Sequence, residues 1–145
     1  MDEERGEEAT MVEEHGREAR WSPARCDDVA VSAEARAWLR RVVPGLLDGP
    51  LRPCLLDDAE LLLGELTANA LQHAGGVERV AVCCTGRVLH IVVHDPAPVR
   101  PWRPPAADAV SERGRGTVLF GRLAVDWGVS TGPDDGKDVW LDIPL

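Results

Sequence analysis

The stretch Leu61-Leu62-Leu63-Gly64-Glu65-Leu66-Thr67-Ala68-Asn69-Ala70-Leu71-Gln72-His73-Ala74 decides how the rest of the chain is read. It is made mostly of good helix formers and has no proline, and Leu62 and Leu66 stand one helical turn apart. On a helix, Glu65, Asn69 and His73 fall at i, i+4 and i+8, one stripe on one face. Leucine and alanine fill most of the other positions. A narrow polar stripe on a largely apolar helix costs free energy if it is buried without partners. The spacing therefore points either to a helix that turns its stripe to a polar ligand or to a plain solvent-facing stripe.

Outward from this stretch, Asp57 or Asp58 is expected to cap the helix, which runs to about Ala74, where Gly75-Gly76 stops it. A hairpin follows. Val80, Val82 and Cys84 alternate with Ala81 and Cys83, Thr85-Gly86 makes a two-residue turn, and Leu89, Ile91 and Val93 alternate with His90, Val92 and His94. That turn sets Val82 opposite Leu89 and Val80 opposite Ile91, so both strands share one apolar face. Asp95 keeps the parity of Val93 and points to the core side at the strand's end. Residues 96–113 hold five prolines and no apolar period, an irregular loop of the length usually reserved for function. Gly114-Arg115-Gly116 closes the loop and opens a short helix from Thr117 to about Ala124. Two strands finish the chain, through Val125, Trp127 and Val129 and then Val139, Leu141 and Ile143, with Asp134-Asp135-Gly136 as the turn between them.

Upstream, Ser32 is expected to cap a helix carrying Ala35, Trp38, Leu39, Val42 and Val43 at helical spacing, ended by Pro44 and Gly49-Pro50. A short strand is expected within residues 21–31. Residues 1–20 carry eight acids and three arginines and almost no large apolar side chains, so they read as a disordered acidic tail in front of a domain spanning residues 21–145. Trp38 and Trp127 are expected in the core, and Trp102 over a ligand or anchoring the loop.

At 145 residues the chain is long enough for one domain with its own core. A formal net charge of −9 argues against general nucleic-acid or anionic-membrane binding, because phosphate contacts need clustered lysine and arginine. No apolar window approaches a membrane span and the N-terminus is acidic, so a soluble cytoplasmic protein is expected. Cys26, Cys54, Cys83 and Cys84 form no C-x-x-C pair and read as reduced thiols. Cys83, His90 and His94 share the outer face of the hairpin, with His90 and His94 exposed, but converge on no fourth metal ligand.

Three features thus follow in order: a helix with a Glu/Asn/His stripe, a strand ending in an inward Asp, and a loop entering a helix through Gly-x-Gly. Each has a physical job in nucleotide binding. Glycines at a helix N-terminus offer free N–H groups and a positive dipole to phosphate. A buried carboxylate accepts a hydrogen bond from an exocyclic amine such as that of adenine. An Asn oxygen suits Mg²⁺, which takes few protein ligands, and a Glu one turn earlier suits a general base.

On these motifs, residues from about 26 to 145 resemble the GHKL ATPase/kinase superfamily, and within it the small bacterial anti-sigma-factor serine kinases. Glu65 to Ala74 looks like that family's N box. The resemblance implies that Glu65 is the catalytic base, Asn69 the Mg²⁺ ligand, and His73 a neighbour of the phosphates. His94-Asp95-Pro96-Ala97-Pro98 stands at the G1 position, with Asp95 reading adenine and Ala97 beside the nucleotide. Gly114-Arg115-Gly116-Thr117 looks like the G2 box, and the proline-rich loop before it like the ATP lid. Two departures stand out. The usual D-x-G-x-G is here Asp95-Pro96-Ala97-Pro98-Val99, which leaves less room for backbone approach and stiffens the lid hinge. Asp138 stands where relatives often carry Thr, while Lys137 shares the parity of Val139 and is placed to reach phosphate.

The resemblance implies an α+β fold, the two-layer α/β sandwich known as the Bergerat ATP-binding fold, with a mixed, mostly antiparallel sheet and helices on one face. It also implies ATP and Mg²⁺ as cofactors. The implied activity is phosphoryl transfer to a serine of an anti-anti-sigma-type protein, coupled to sequestration of a sigma factor. The alternatives are a nucleotide-gated binding module with little or no kinase activity, and a protein with the fold but no nucleotide at all. The sequence leaves open whether the chain forms a homodimer.

Overall fold

Alternating apolar residues put one face of each central strand against two helices, and the chain order follows from that packing. The computed structural model describes residues 11–13, 16–99 and 123–145, the side chains of residues 11–13, 16 and 133 excepted. Its elements are β1 (Met11–Glu13), β2 (Gly16–Trp21), α1 (Val31–Leu46), α2 (Leu55–His73), β3 (Arg79–Cys84), β4 (Val88–Asp95), β5 (Asp126–Thr131) and β6 (Lys137–Pro144). The strands form a six-stranded sheet in the order β1-β2-β3-β4-β6-β5. Every pairing among the described residues is antiparallel, so the parallel pair that a mixed sheet requires is not among them.

Val80, Val82, Leu89, Ile91, Val93, Leu141 and Ile143 are fully buried, and they pack with Leu39, Val43, Leu62, Leu63 and Leu66 of the helices. The result is a two-layer α+β arrangement with α1 and α2 on one face. β4 and β6 lie side by side in the sheet, yet the chain between them runs through residues 96–136. Among the described residues no helix is long and apolar enough to cross a membrane.

Several sequence expectations shift. The hairpin pairs Cys84 with Leu89, Val82 with Ile91 and Val80 with Val93, two residues away from the expected register. Thr85 N–H donates to the Val88 carbonyl across a wider turn, at 3.2 Å. A two-residue shift preserves parity, which is why the shared apolar face survives it. α1 starts one residue before Ser32, and Ser32 is not its cap. Asp28 Oδ1 instead accepts from the Ala30 N–H at 2.8 Å, while the Ser32 hydroxyl meets the Thr67 hydroxyl of α2 at 2.9 Å. Pro44 lies inside α1 rather than ending it. α2 starts at Leu55 after Cys54, which has a left-handed φ of 70°, and Asp57 and Asp58 occupy its first turn. Trp127, expected in the core, is 38% exposed on the edge strand β5.

The largest correction concerns the N-terminal segment. Residues read as disordered tail supply β1 and β2, and the strand expected within residues 21–31 ends at Trp21 instead. Arg17, Ala19 and Trp21 share the helix-facing parity of β2. Ala19 and Trp21 are buried, and Trp21 stacks on Trp38 of α1 with ring centroids 6.2 Å apart. Arg17 donates to the Gly45 carbonyl in the last turn of α1 at 3.1 Å, supplying a cation to a helix end that has no basic residue of its own. Residues 1–10 of the expected tail lie outside the described residues.

Candidate functional site

α2 carries the polar stripe along the sheet beside β4. Glu65 and Asn69 are half-buried and His73, in the last turn, is exposed. Among the described residues the Asn69 amide and the His73 imidazole take no hydrogen bond, so their donors and acceptors are available to a ligand. Thr67, two residues from both Glu65 and Asn69, is fully buried, and its hydroxyl donates to the Leu63 carbonyl at 2.9 Å. That bond and the contact with Ser32 fix the rotation of α2 against α1.

α2 stops where Gly75 and Gly76 take φ values of 84° and 127°. A β-carbon on Gly76 would stand 2.3 Å from the Cys26 carbonyl oxygen, and one on Gly75 would stand 3.4 Å from Pro96. The end of α2 is thereby held against the residue that follows Asp95. On the other side a β-carbon at Gly136 would lie 2.3 Å from the Asp95 carbonyl oxygen, so the turn before β6 closes over the same strand end.

Asp95 ends β4 on the helix-facing parity, as expected, and is 1% exposed. Its Oδ1 accepts from the Ala97 N–H at 2.9 Å, a local turn that places Ala97 at the strand end. The same oxygen accepts from Lys137 Nζ at 2.9 Å. Lys137 is the register partner of Asp95 at the start of β6, so the two face the helices together. The reach to phosphate expected for Lys137 is replaced by this buried ion pair. The sequence offered a face for Lys137, the only lysine in the chain, through the parity it shares with Val139, but no partner.

On the opposite face, His94 is not the exposed strand residue expected from its parity; it is 1% exposed. Asp138 Oδ1 stands 2.7 Å from its Nδ1 and Glu78 Oε1 stands 3.3 Å from its Nε2, and Gly132 and Gly136 pack against the ring. Asp138 therefore faces away from Asp95 and serves His94. Among the described residues no group of three or more His, Cys, Asp or Glu is arranged to hold a metal ion.

The structure thus brings Asp95, Ala97 and Lys137 together at one end of the sheet, with the C-terminal end of α2 beside Pro96. Gly114, Arg115, Gly116 and Thr117, the short helix expected from Thr117, most of the expected lid and Trp102 lie outside the described residues. No family model matches the chain, and no curated protein matches it.

Proposed function

We propose that the chain is an ATP·Mg²⁺-binding regulatory domain of the GHKL type, with the Bergerat form of the two-layer fold. We further propose that it phosphorylates a serine of an anti-anti-sigma-type protein and holds a sigma factor. The observation that carries this reading is the approach of the α2 end, with Asn69 and His73 available for ligands, to Pro96, the residue that follows the buried Asp95. Asn69 would hold the metal and Asp95 the adenine amine. Bound ATP would supply the transferable phosphoryl group and Mg²⁺ the neutralising charge. Glu65 would take the proton of the incoming serine hydroxyl, and most of the remaining catalysis would be positioning.

A second reading, a nucleotide-gated binding module with weak or no kinase activity, is favoured by the Asp95–Lys137 pair. A base amine must share or displace an ammonium already on that carboxylate. Thermal denaturation with and without millimolar ATP·Mg²⁺ tests both readings. Saturation at a hundred times Kd adds about 2.7 kcal/mol of stability, and no shift sinks both. Glu65→Ala separates them. Under the first reading the native protein transfers phosphate to its co-encoded partner and the variant binds ATP without transfer; under the second neither transfers.

A further inference from the structure

The outer face of the sheet carries a row of chemistry that the proposed nucleotide site does not use. Cys83 on β3 is the register partner of His90 on β4, and His90 is the register partner of Asp142 on β6. Directly opposed residues on one face of an antiparallel pair have β-carbons about 4.5–5.5 Å apart. His90 Nδ1 stands 2.5 Å from Asp142 Oδ1, and the imidazole also leans on Trp140, with ring centroids 5.4 Å apart. In a neutral imidazole, a carboxylate at Nδ1 selects the tautomer with its proton there and leaves Nε2 as the acceptor. Nε2 is the ring nitrogen left outside that contact, and β3, which carries Cys83, flanks β4 on the side away from Asp142. His90 and Asp142 keep side-chain exposures of 35% and 20%, and Cys83 is half-buried.

We propose that Cys83, His90 and Asp142 form a thiol-activating array, and that Cys83 is a site of thiol–disulfide exchange with small disulfides. His90 Nε2 takes the Cys83 proton, and the thiolate attacks one sulfur of the disulfide. A new S–S bond forms to Cys83 as the old S–S bond breaks. The departing thiolate takes the proton back from His90. Cys83 is oxidised and one half of the disulfide leaves as a reduced thiol, so atoms and electrons balance.

The surroundings set how the adduct behaves. Glu18 on β2 is the register partner of Cys83 on the other side and opposes thiolate formation, but its carboxylate is matched by Arg20 at 3.5 Å. Cys84 points to the opposite, buried face, and burial foremost, with the neighbouring Cys83 adding to it, pushes its thiol up to about 11. Cys84 is therefore both misdirected and protonated, and it does not resolve a mixed disulfide on Cys83. The adduct persists until an external thiol removes it, which makes the site a modification site rather than a catalytic dithiol.

The full chain is treated at pH 7 with dithiodipyridine, a small aromatic disulfide, and each cysteine is followed by peptide mass. Cys83 in the folded protein is expected to react about tenfold faster than in the urea-unfolded chain. His90→Gln is expected to abolish that acceleration, and Asp142→Asn to reduce it several-fold, with native circular dichroism retained. If His90→Gln does not fold, Asp142→Asn decides. A folded-state rate no faster than the unfolded one overturns the proposal, as does a rate unchanged in whichever variant folds.

Discussion

The Asp95–Lys137 pair concentrates much of the molecule's residue-scale risk. Its side chains are 2% and 8% exposed, so neither charge is relieved by water if the other is removed. Removing one partner of a buried pair costs about 3–5 kcal/mol, mostly the penalty of the stranded charge. Lys137→Met and Asp95→Asn are each expected to lose stability on that scale in urea titrations. The double variant is expected to recover a large part of the loss; simple additivity would show that the two groups are not coupled. Cys84 gives a pH-dependent counterpart. Its folded value near 11 lies above the ordinary thiol value of 9.0, so the unfolded chain loses the proton first. The contribution is intact below pH 9 and is lost as pH rises toward 11, by about 2–3 kcal/mol at most. Cys84→Ala is expected to flatten that decline in stability measured from pH 8 upward. At this scale Asp95 was legible because parity alone aims it inward. The ion pair was not, because parity gives a face and not a partner, and two equally permitted targets for Lys137 looked alike in the sequence.

At the scale of elements, two glycines that both take positive φ do different work. A β-carbon added at Gly86 (φ 94°) would meet nothing within 4 Å, whereas one added at Gly76 (φ 127°) would meet the Cys26 carbonyl oxygen at 2.3 Å. Gly86→Ala is expected to cost about 1 kcal/mol, the backbone strain alone. Gly76→Ala is expected to cost at least about 2 kcal/mol more, because backbone cannot step aside. Equal midpoints for the two in denaturant titration would refute this division. The helices and central strands were readable because their apolar periods are regular. β2 was not: of residues 17–21 only Ala19 and Trp21 are buried, and the strand's polar composition is that of a solvated segment until a sheet edge is there to pair with it. The exposed Trp127 has the same origin, since a period of two cannot distinguish an edge strand from a central one.

For the molecule as a whole, the position of β2 predicts what truncation does. Removing residues 1–21 deletes the Trp21–Trp38 stack and uncovers β3, and is expected to destabilise the protein by more than about 3 kcal/mol, measured by thermal or urea unfolding. A dispensable tail would leave the midpoint unchanged. The junction of β4 and β6 bears on something else, the route by which the chain reaches its fold. Asp95 and Lys137 are 42 residues apart in sequence, and Arg52, whose Nε donates to the Pro144 carbonyl at 3.0 Å, bridges 92. The pairing of β4 with β6 therefore cannot form locally; it waits for two distant hairpins to meet. Doubling the length of the connection between them adds about 0.6 kcal/mol of closure entropy. If that meeting limits the rate, a polar insertion of about 40 residues beyond Val99 slows refolding roughly threefold in stopped-flow traces and leaves the unfolding rate nearly untouched.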